Sequence, residues 1–316
     1  MSRLAIGPVR DFPSWTWIGA DTARELAKYA EVVPFESYRR IPPCDAVMAI
    51  KQRPPLRLGR KLHDRDAKLI YAPVDRYAAI DEIYQDRPLL EACDLVLAHS
   101  ELLLECLRPH CRRLALVEHH GKYTLPELAP YKEEGHVLWV GGLQHTPYLI
   151  DWLERYPIRR RLSILTDVGN REAADAARRL ARQLGVRLSI EPDSINGHAA
   201  HVWSEAEQRR MMQACKAAID IKGEDFTQST KPPVKAQKFI SSGIPFACNA
   251  ETSASRYFRD RGFELASPLD EETWFSRDYW QRTQGVGAEL RDRIAIETVG
   301  LSYWAELRPL LYPGQS

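Results

Sequence analysis

No run of about eighteen apolar residues occurs in this 316-residue sequence, which excludes a membrane-spanning helix as an organising element. The amino-terminal stretch holds only the short apolar run 4–6, so no secretory signal is expected. Cysteine is sparse. The six, Cys44, Cys93, Cys106, Cys111, Cys215 and Cys248, show no CxxC pairing, and several lie in apolar strand-like runs, which excludes a dense disulfide framework and points to reduced thiols in a cytoplasmic protein. Charge of one sign is lacking too: 44 Lys and Arg against 43 Asp and Glu leave a formal +1. That balance removes a global electrostatic case for nucleic acid, although Arg159-Arg160-Arg161 remains a local basic patch. No repeat of fixed period is visible.

What the chain does have is apolar content. At 44% hydrophobic residues, with 8 Trp and 13 Tyr, it is no disordered polymer, and its length suits two domains, each able to bury a core. Short β-rich runs at 4–6, 31–35, 46–50, 68–72, 95–99 and 114–118 alternate with helical stretches, the pattern of a parallel sheet. Thr22 to Glu25 reads as a capping box opening the first helix. Prolines and charges across 125–135 break the apolar period and mark a linker. A second alternating series follows, with strands at 137–140, 162–165, 186–190, 217–221, 244–248 and 263–266, helices at 147–155, 172–184 and 254–261, and a polar loop after 190. Ser204 to Glu207 caps a helix whose Met211, Met212 and Cys215 read as core. Residues 269–311 are helical and rich in Trp and Tyr. The expected domains are 1–130 and 136–268, both Rossmann-like and doubly wound, facing across a cleft, with 269–316 a helical tail packing back on the first.

Residues 231–246, Lys-Pro-Pro-Val-Lys-Ala-Gln-Lys-Phe-Ile-Ser-Ser-Gly-Ile-Pro-Phe, read as a basic loop, a short helix, a glycine stop and a strand. Pro232 and Pro233 bar helix upstream, and Gly243 supplies the left-handed cap position. Such a helix aims free N–H groups at the loop before it. With Lys231 and Lys235 beside those donors, the site suits a diphosphate; the bland alternative is a solvated basic face.

Ligands of open α/β sheets bind beyond the carboxyl ends of the strands. In the first domain those ends carry Arg10 to Trp17, Lys51 to Arg53, Pro73 to Tyr77, Ser100, Glu101, His119 and His120. Asp11, flanked by Phe12, Trp15 and Trp17, is a candidate acceptor-site base, and the same aromatics could instead pack the loop onto the first helix. Asp75 beside Arg76 reads either as a polar site group or as a surface ion pair. His119 and His120, adjacent on an extended strand, point to opposite faces and are poorly placed to share one metal ion.

These motifs resemble the GT-B glycosyltransferases, especially the retaining group that includes the glycogen synthase-like and family 4 enzymes. The likeness rests on Val137-Leu-Trp-Val-Gly-Gly142, on Cys93-Asp-Leu-Val-Leu-Ala-His-Ser-Glu101, and on Lys235 to Pro245 ending Ser-Gly-x-Pro. It implies a nucleotide-sugar donor held by Gly141, Gly142, Ser229, Thr230, Lys231, Lys235, Gln237 and Lys238, with Asp11, Asp75 and Lys235 carrying the chemistry. The acceptor would be a glycan, a lipid-linked group or a protein, with peripheral membrane contact open and nucleic acid not indicated. No cofactor beyond the donor is implied, and no metal, since no DxD-type loop stands in the expected place. Two positions depart from the pattern. Lys238, with no acceptor for ribose hydroxyls, stands where the family carries glutamate, leaving Gln237, Glu224 or Asp225 for that role. Val74-Asp75 stands where some members carry a histidine. A non-catalytic GT-B-like binding protein, a sugar-nucleotide epimerase and a nucleic-acid glycosyltransferase remain alternatives.

Overall fold

The computed structural model describes residues 1–11, 14–249 and 252–314. Phe12 of the aromatic loop, and Ala250 and Glu251 of the loop after residue 248, fall outside these. The chain divides into two units, Met1–His120 with Asp225–Pro232 and Asp292–Ser316, and Gly121–Glu224 with Pro233–Arg291.

In the first unit six parallel strands, β1 Arg3–Gly7, β2 Glu31–Pro34, β3 Ala46–Ile50, β4 Lys68–Ala72, β5 Leu95–Ala98 and β6 Leu114–Leu116, lie in the order β2-β1-β3-β4-β5-β6. Their side chains alternate between two cores, as a two-residue period requires when both faces are covered. Leu4, Ile6, Met48, Ile50, Ile70, Leu95 and Leu97 join one cluster, while Ala5, Val47, Ala49, Leu69, Tyr71 and Val96 join the other. The first cluster is closed by the helix Ile296–Leu311, which buries Val299, Tyr303, Leu307 and Leu311 at four-residue spacing. Each such side chain contributes about 1.5–3 kcal/mol on burial. Phe226, on the short helix Phe226–Thr230, packs against the second cluster.

The capping box expected at Thr22 is absent. A wide helical turn over Trp15–Asp21 runs directly into the helix Thr22–Leu26, so Thr22 lies inside a continuous helix, buried, with its hydroxyl paired to Tyr303. Trp15 and Trp17 pack against the first core cluster.

In the second unit β7 Val137–Val140, β8 Leu162–Thr166, β9 Ser194–Ile195, β10 His198–Val202, β11 Ala217–Asp220 and β12 Phe246–Cys248 form a sheet ordered β12-β11-β7-β8-β10-β9. Among the described residues its strands pair in parallel, except β9 with β10. The strand expected at 186–190 contributes one bridge, Ile190 to Ile195, and the ladder beside β8 belongs to β10 instead, inside the expected polar loop. Asn196 and Gly197 turn that hairpin with φ of 48° and 79°, the left-handed pair that a two-residue turn demands. Residues 263–266 likewise reduce to one bridge, Ala247 to Ala266. Ser204 caps its helix by accepting the Glu207 N–H, and Met211, Met212 and Cys215 are buried. Beyond residue 269 the chain forms the helices Glu271–Trp274 and Arg277–Arg293, which belong to the second unit as far as Arg291.

Candidate functional site

In the second sheet the winding reverses at β7. The chain runs outward from β7 through β8 to β10, then returns to place β11 on the other side of β7. The crevice at such a reversal, beyond the carboxyl ends, is where open α/β sheets hold ligands. Gly141 follows β7 there, and a Cβ on it would stand 2.6 Å from the Trp139 indole and 3.2 Å from Lys235 Nζ, so only glycine fits without displacing both. Lys235 lies in the first turn of the helix Val234–Ser241. Its Nζ is 2.7 Å from Asp220 Oδ1 and 4.8 Å from the Trp139 ring centroid, a cation over an aromatic face. Asp220 ends β11 with a side chain 3% exposed, and its Oδ2 is 3.9 Å from Lys222 Nζ. Together, Asp220, Lys222 and Lys235 carry one positive charge in excess. Pro233 gives the helix no side-chain cap, and the first helical bond is Gln237 N–H to Pro233 O, so the N–H groups of 234–236 have no intrahelical acceptor. Ammonium groups and helix amides thus favour an anion at one place. Gly142 leads into the turn Leu143–His145, whose Leu143 N–H is taken by Asp167 Oδ1 at 2.6 Å.

One turn beyond Lys235, Lys238 points into the protein, 7% exposed. Its Nζ donates to Gln208 Oε1 at 3.3 Å and lies 5.7 Å from the Tyr123 ring centroid. Gln208, fully buried, also accepts from Trp203 Nε1 and donates to Tyr123 O. Burial pushes the Lys238 amine down to about 7, and neighbouring Lys235 adds to the fall. Gln237 is buried as well.

Ser229, Thr230 and Lys231 belong to the first unit. Ser229 Oγ and Thr230 Oγ1 donate to Phe226 O at 3.1 and 2.7 Å, and Lys231 Nζ donates to Gln228 Oε1 at 3.3 Å. Asp225 caps their short helix by accepting the Gln228 N–H. The segment is tied to the first unit by Thr227 Oγ1 donating to Tyr77 O and Ser100 Oγ donating to Thr230 O. Lys231 and Lys235, four residues apart, therefore fall in different units.

Asp11 is exposed after β1, beside Arg10, whose guanidinium donates to Val9 O and Glu36 O. Asp75, also exposed, takes φ +45° after β4, an uncommon conformation for a non-glycine residue, and Arg76 pairs with Glu82 rather than with it. His119 and His120 are both buried. His120 Nε2 is 3.2 Å from Asp21 Oδ2. The His119 ring meets that of His99 edge-on, centroids 4.9 Å apart, and among the described residues its two nitrogens have no hydrogen-bond partner. Desolvation holds His119 well below the usual histidine range and His99 at about 4.

Sequence reasoning passed over Asp220, Gln208 and His99. The signal for Asp220 was a lone carboxylate in the strand Ala-Ala-Ile-Asp-Ile, which once buried needs a cation. Among the described residues, no group of three or more His, Cys, Asp or Glu side chains is placed to hold a metal ion. No described helix is long and apolar enough to cross a membrane.

No protein-family model matches the chain, and no curated protein matches its sequence. Solved structures do match in fold. AviGT4, a glycosyltransferase involved in avilamycin A biosynthesis, aligns over 99% of both chains with TM-score 0.54 at 11% identity. WaaG, a glycosyltransferase involved in lipopolysaccharide biosynthesis, aligns over 99% of this chain and 100% of its own with TM-score 0.53 at 11% identity. OtsA, a trehalose-6-phosphate synthase, aligns over 92% of this chain and 76% of its own, TM-score 0.53 at 12% identity. The fold of this chain is that of the GT-B glycosyltransferases, two Rossmann-like α/β sheets in one polypeptide.

Proposed function

We propose that the protein is a glycosyltransferase that moves a sugar from a nucleotide-sugar donor to a glycan, lipid-linked or protein acceptor, without a metal and with retention of configuration. The supporting observation is the group at the reversal point of the second sheet: Gly141, the uncapped helix start and Lys235 held by Asp220 over Trp139. In this reading the helix amides and Lys235 neutralise the departing diphosphate, and the absent Cβ of Gly141 lets it approach the backbone. In the first unit, Asp11 and Asp75 serve the acceptor, and Lys231 offers a further cation to phosphate.

Thermal shift with UDP, GDP, ADP, CMP and TDP compounds tests the donor site. A true ligand at a hundredfold excess over its dissociation constant stabilises by about 2.7 kcal/mol, and silence across the panel removes the reading. Lys235→Ala is expected to lower turnover by about 10²–10³-fold with the fold retained; unchanged kinetics would take Lys235 out of the site.

A second reading has one observation in its favour. Lys238 stands where the resembling enzymes place a glutamate, and it is buried, which supports reading the protein instead as a binding module that has lost donor chemistry. Nucleotide-dependent stabilisation with no turnover of any nucleotide sugar is the outcome that selects it.

A further inference from the structure

A groove of about 390 Å³ opens on the second unit, away from the crevice at the reversal point. The helix Thr146–Arg155 follows β7 and delivers the chain to β8, so its last turn stands at the amino ends of those parallel strands. That turn and the residues after it form one side of the groove, with Trp152, Tyr156 and Pro157, and residues 268–272 form the other, with Pro268 and Leu269. Tyr156 is 44% exposed and Leu269 62%. Two large apolar side chains left in water in one groove mark a surface that another molecule covers.

The charges divide between the two sides. Arg155 and Arg159 belong to the first, and Asp270, Glu271 and Glu272 to the second. Arg155 is paired with Asp151, and Asp270 accepts the Thr273 N–H at 3.1 Å. Glu271 Oε1 accepts the Arg159 backbone N–H at 2.9 Å, which ties the two sides together. The Arg159 guanidinium and the Glu272 carboxylate are exposed, and among the described residues neither has a partner. A uniformly basic partner would set its charge against Arg159, and an acidic one would meet the carboxylates of the other side. A surface that is basic on one side, acidic on the other and apolar between them complements its own copy: a twofold axis brings each basic side to the opposite acidic side and makes every pair twice. We propose that this groove is the contact surface of a symmetric dimer, in which Leu269 of each copy enters the groove of the other beside Tyr156, and Arg159 of each copy pairs with Glu272 of the other. The pairing needs no nucleotide and is independent of the glycosyl-transfer reading.

Sedimentation velocity of the full chain from about 1 to about 300 µM tests this, with a dimer expected at a dissociation constant in the micromolar range. Leu269→Asp should leave a folded monomer throughout, its fold checked by thermal melting. Glu272→Arg and Arg159→Glu should each weaken the dimer about tenfold or more, because each sets like charges face to face. The chain carrying both changes should dimerise again, since the pair is then remade with its signs exchanged. That recovery is the reading a loss of fold could not imitate. The proposal is overturned if the unaltered chain is monomeric at about 300 µM, if Leu269→Asp leaves the dimer intact, or if the double variant associates no more tightly than the single ones.

Discussion

Beyond the carboxyl ends of its strands the first sheet has buried histidines, whereas in the second unit the helix Val234–Ser241 buries a lysine, and the two residue types meet burial differently. His99 and His119 give up their proton when desolvated, because their ordinary titration lies only a little below neutrality. Above about pH 6.5 they are neutral folded or unfolded, so their burial carries no electrostatic cost. Lys238 is pushed down to about 7, but the unfolded chain keeps that amine charged up to about pH 10, so folding bears the cost of discharging or burying it throughout the ordinary range. Lys235, one turn away and partly exposed, is paired with Asp220. One helix thus carries an ion-paired lysine at its start and a buried one a turn later.

The largest expected effect lies on the histidine side. Between pH 6.5 and about 4 the unfolded chain binds a proton that folded His99 refuses, so stability falls as pH drops through that window, by on the order of 3 kcal/mol from His99 alone. Denaturant unfolding at a series of pH values reads this, and His99→Phe should flatten the curve; an unchanged slope would break the comparison. Asp220→Ala comes next, costing on the order of 3 kcal/mol reduced by the partial exposure of Lys235, because it leaves Lys222 and Lys235 without their carboxylate. Lys238→Met should stabilise by about 2 kcal/mol at pH 6, with the gain shrinking as pH rises from 7 towards 10. A gain constant across that range would mean that the amine never discharges. Smallest is Gly141→Ala, at about 1–2 kcal/mol, since the new methyl must push the Trp139 ring and Lys235 Nζ aside.

The sequence displayed what local chemistry writes into neighbouring residues. Gly243 takes φ +70° at the helix end it was expected to close, and the alternation of Leu4, Ala5 and Ile6 between two cores follows from a two-residue period. Asn196-Gly197 is equally explicit as a hairpin turn, yet the small residues and histidines of β10 lack the β-branched signature, so that stretch of sequence has the character of a loop. Gly141 and Lys235 were legible because glycine and lysine at those places suit an anion. Asp220, Gln208 and His99 were not, because their importance comes from partners distant in the chain: 15 residues for Asp220 and Lys235, 30 for Gln208 and Lys238, 18 for His99 and Val117. The assignment of 225–232 to the first unit is of the same kind, resting on hydrogen bonds that span 130 and 150 residues.

The helix Ile296–Leu311, which closes a core begun at Leu4, sets a timetable for biosynthesis. On the ribosome the first unit emerges early but lacks Val299, Tyr303, Leu307 and Leu311 until about 190 further residues have been made, about 10–40 s at ordinary elongation rates. During that interval Leu4, Ile6, Met48 and Ile70 have no lid, and nascent chains are exposed to chaperones and proteases. The unit made first is the one completed last.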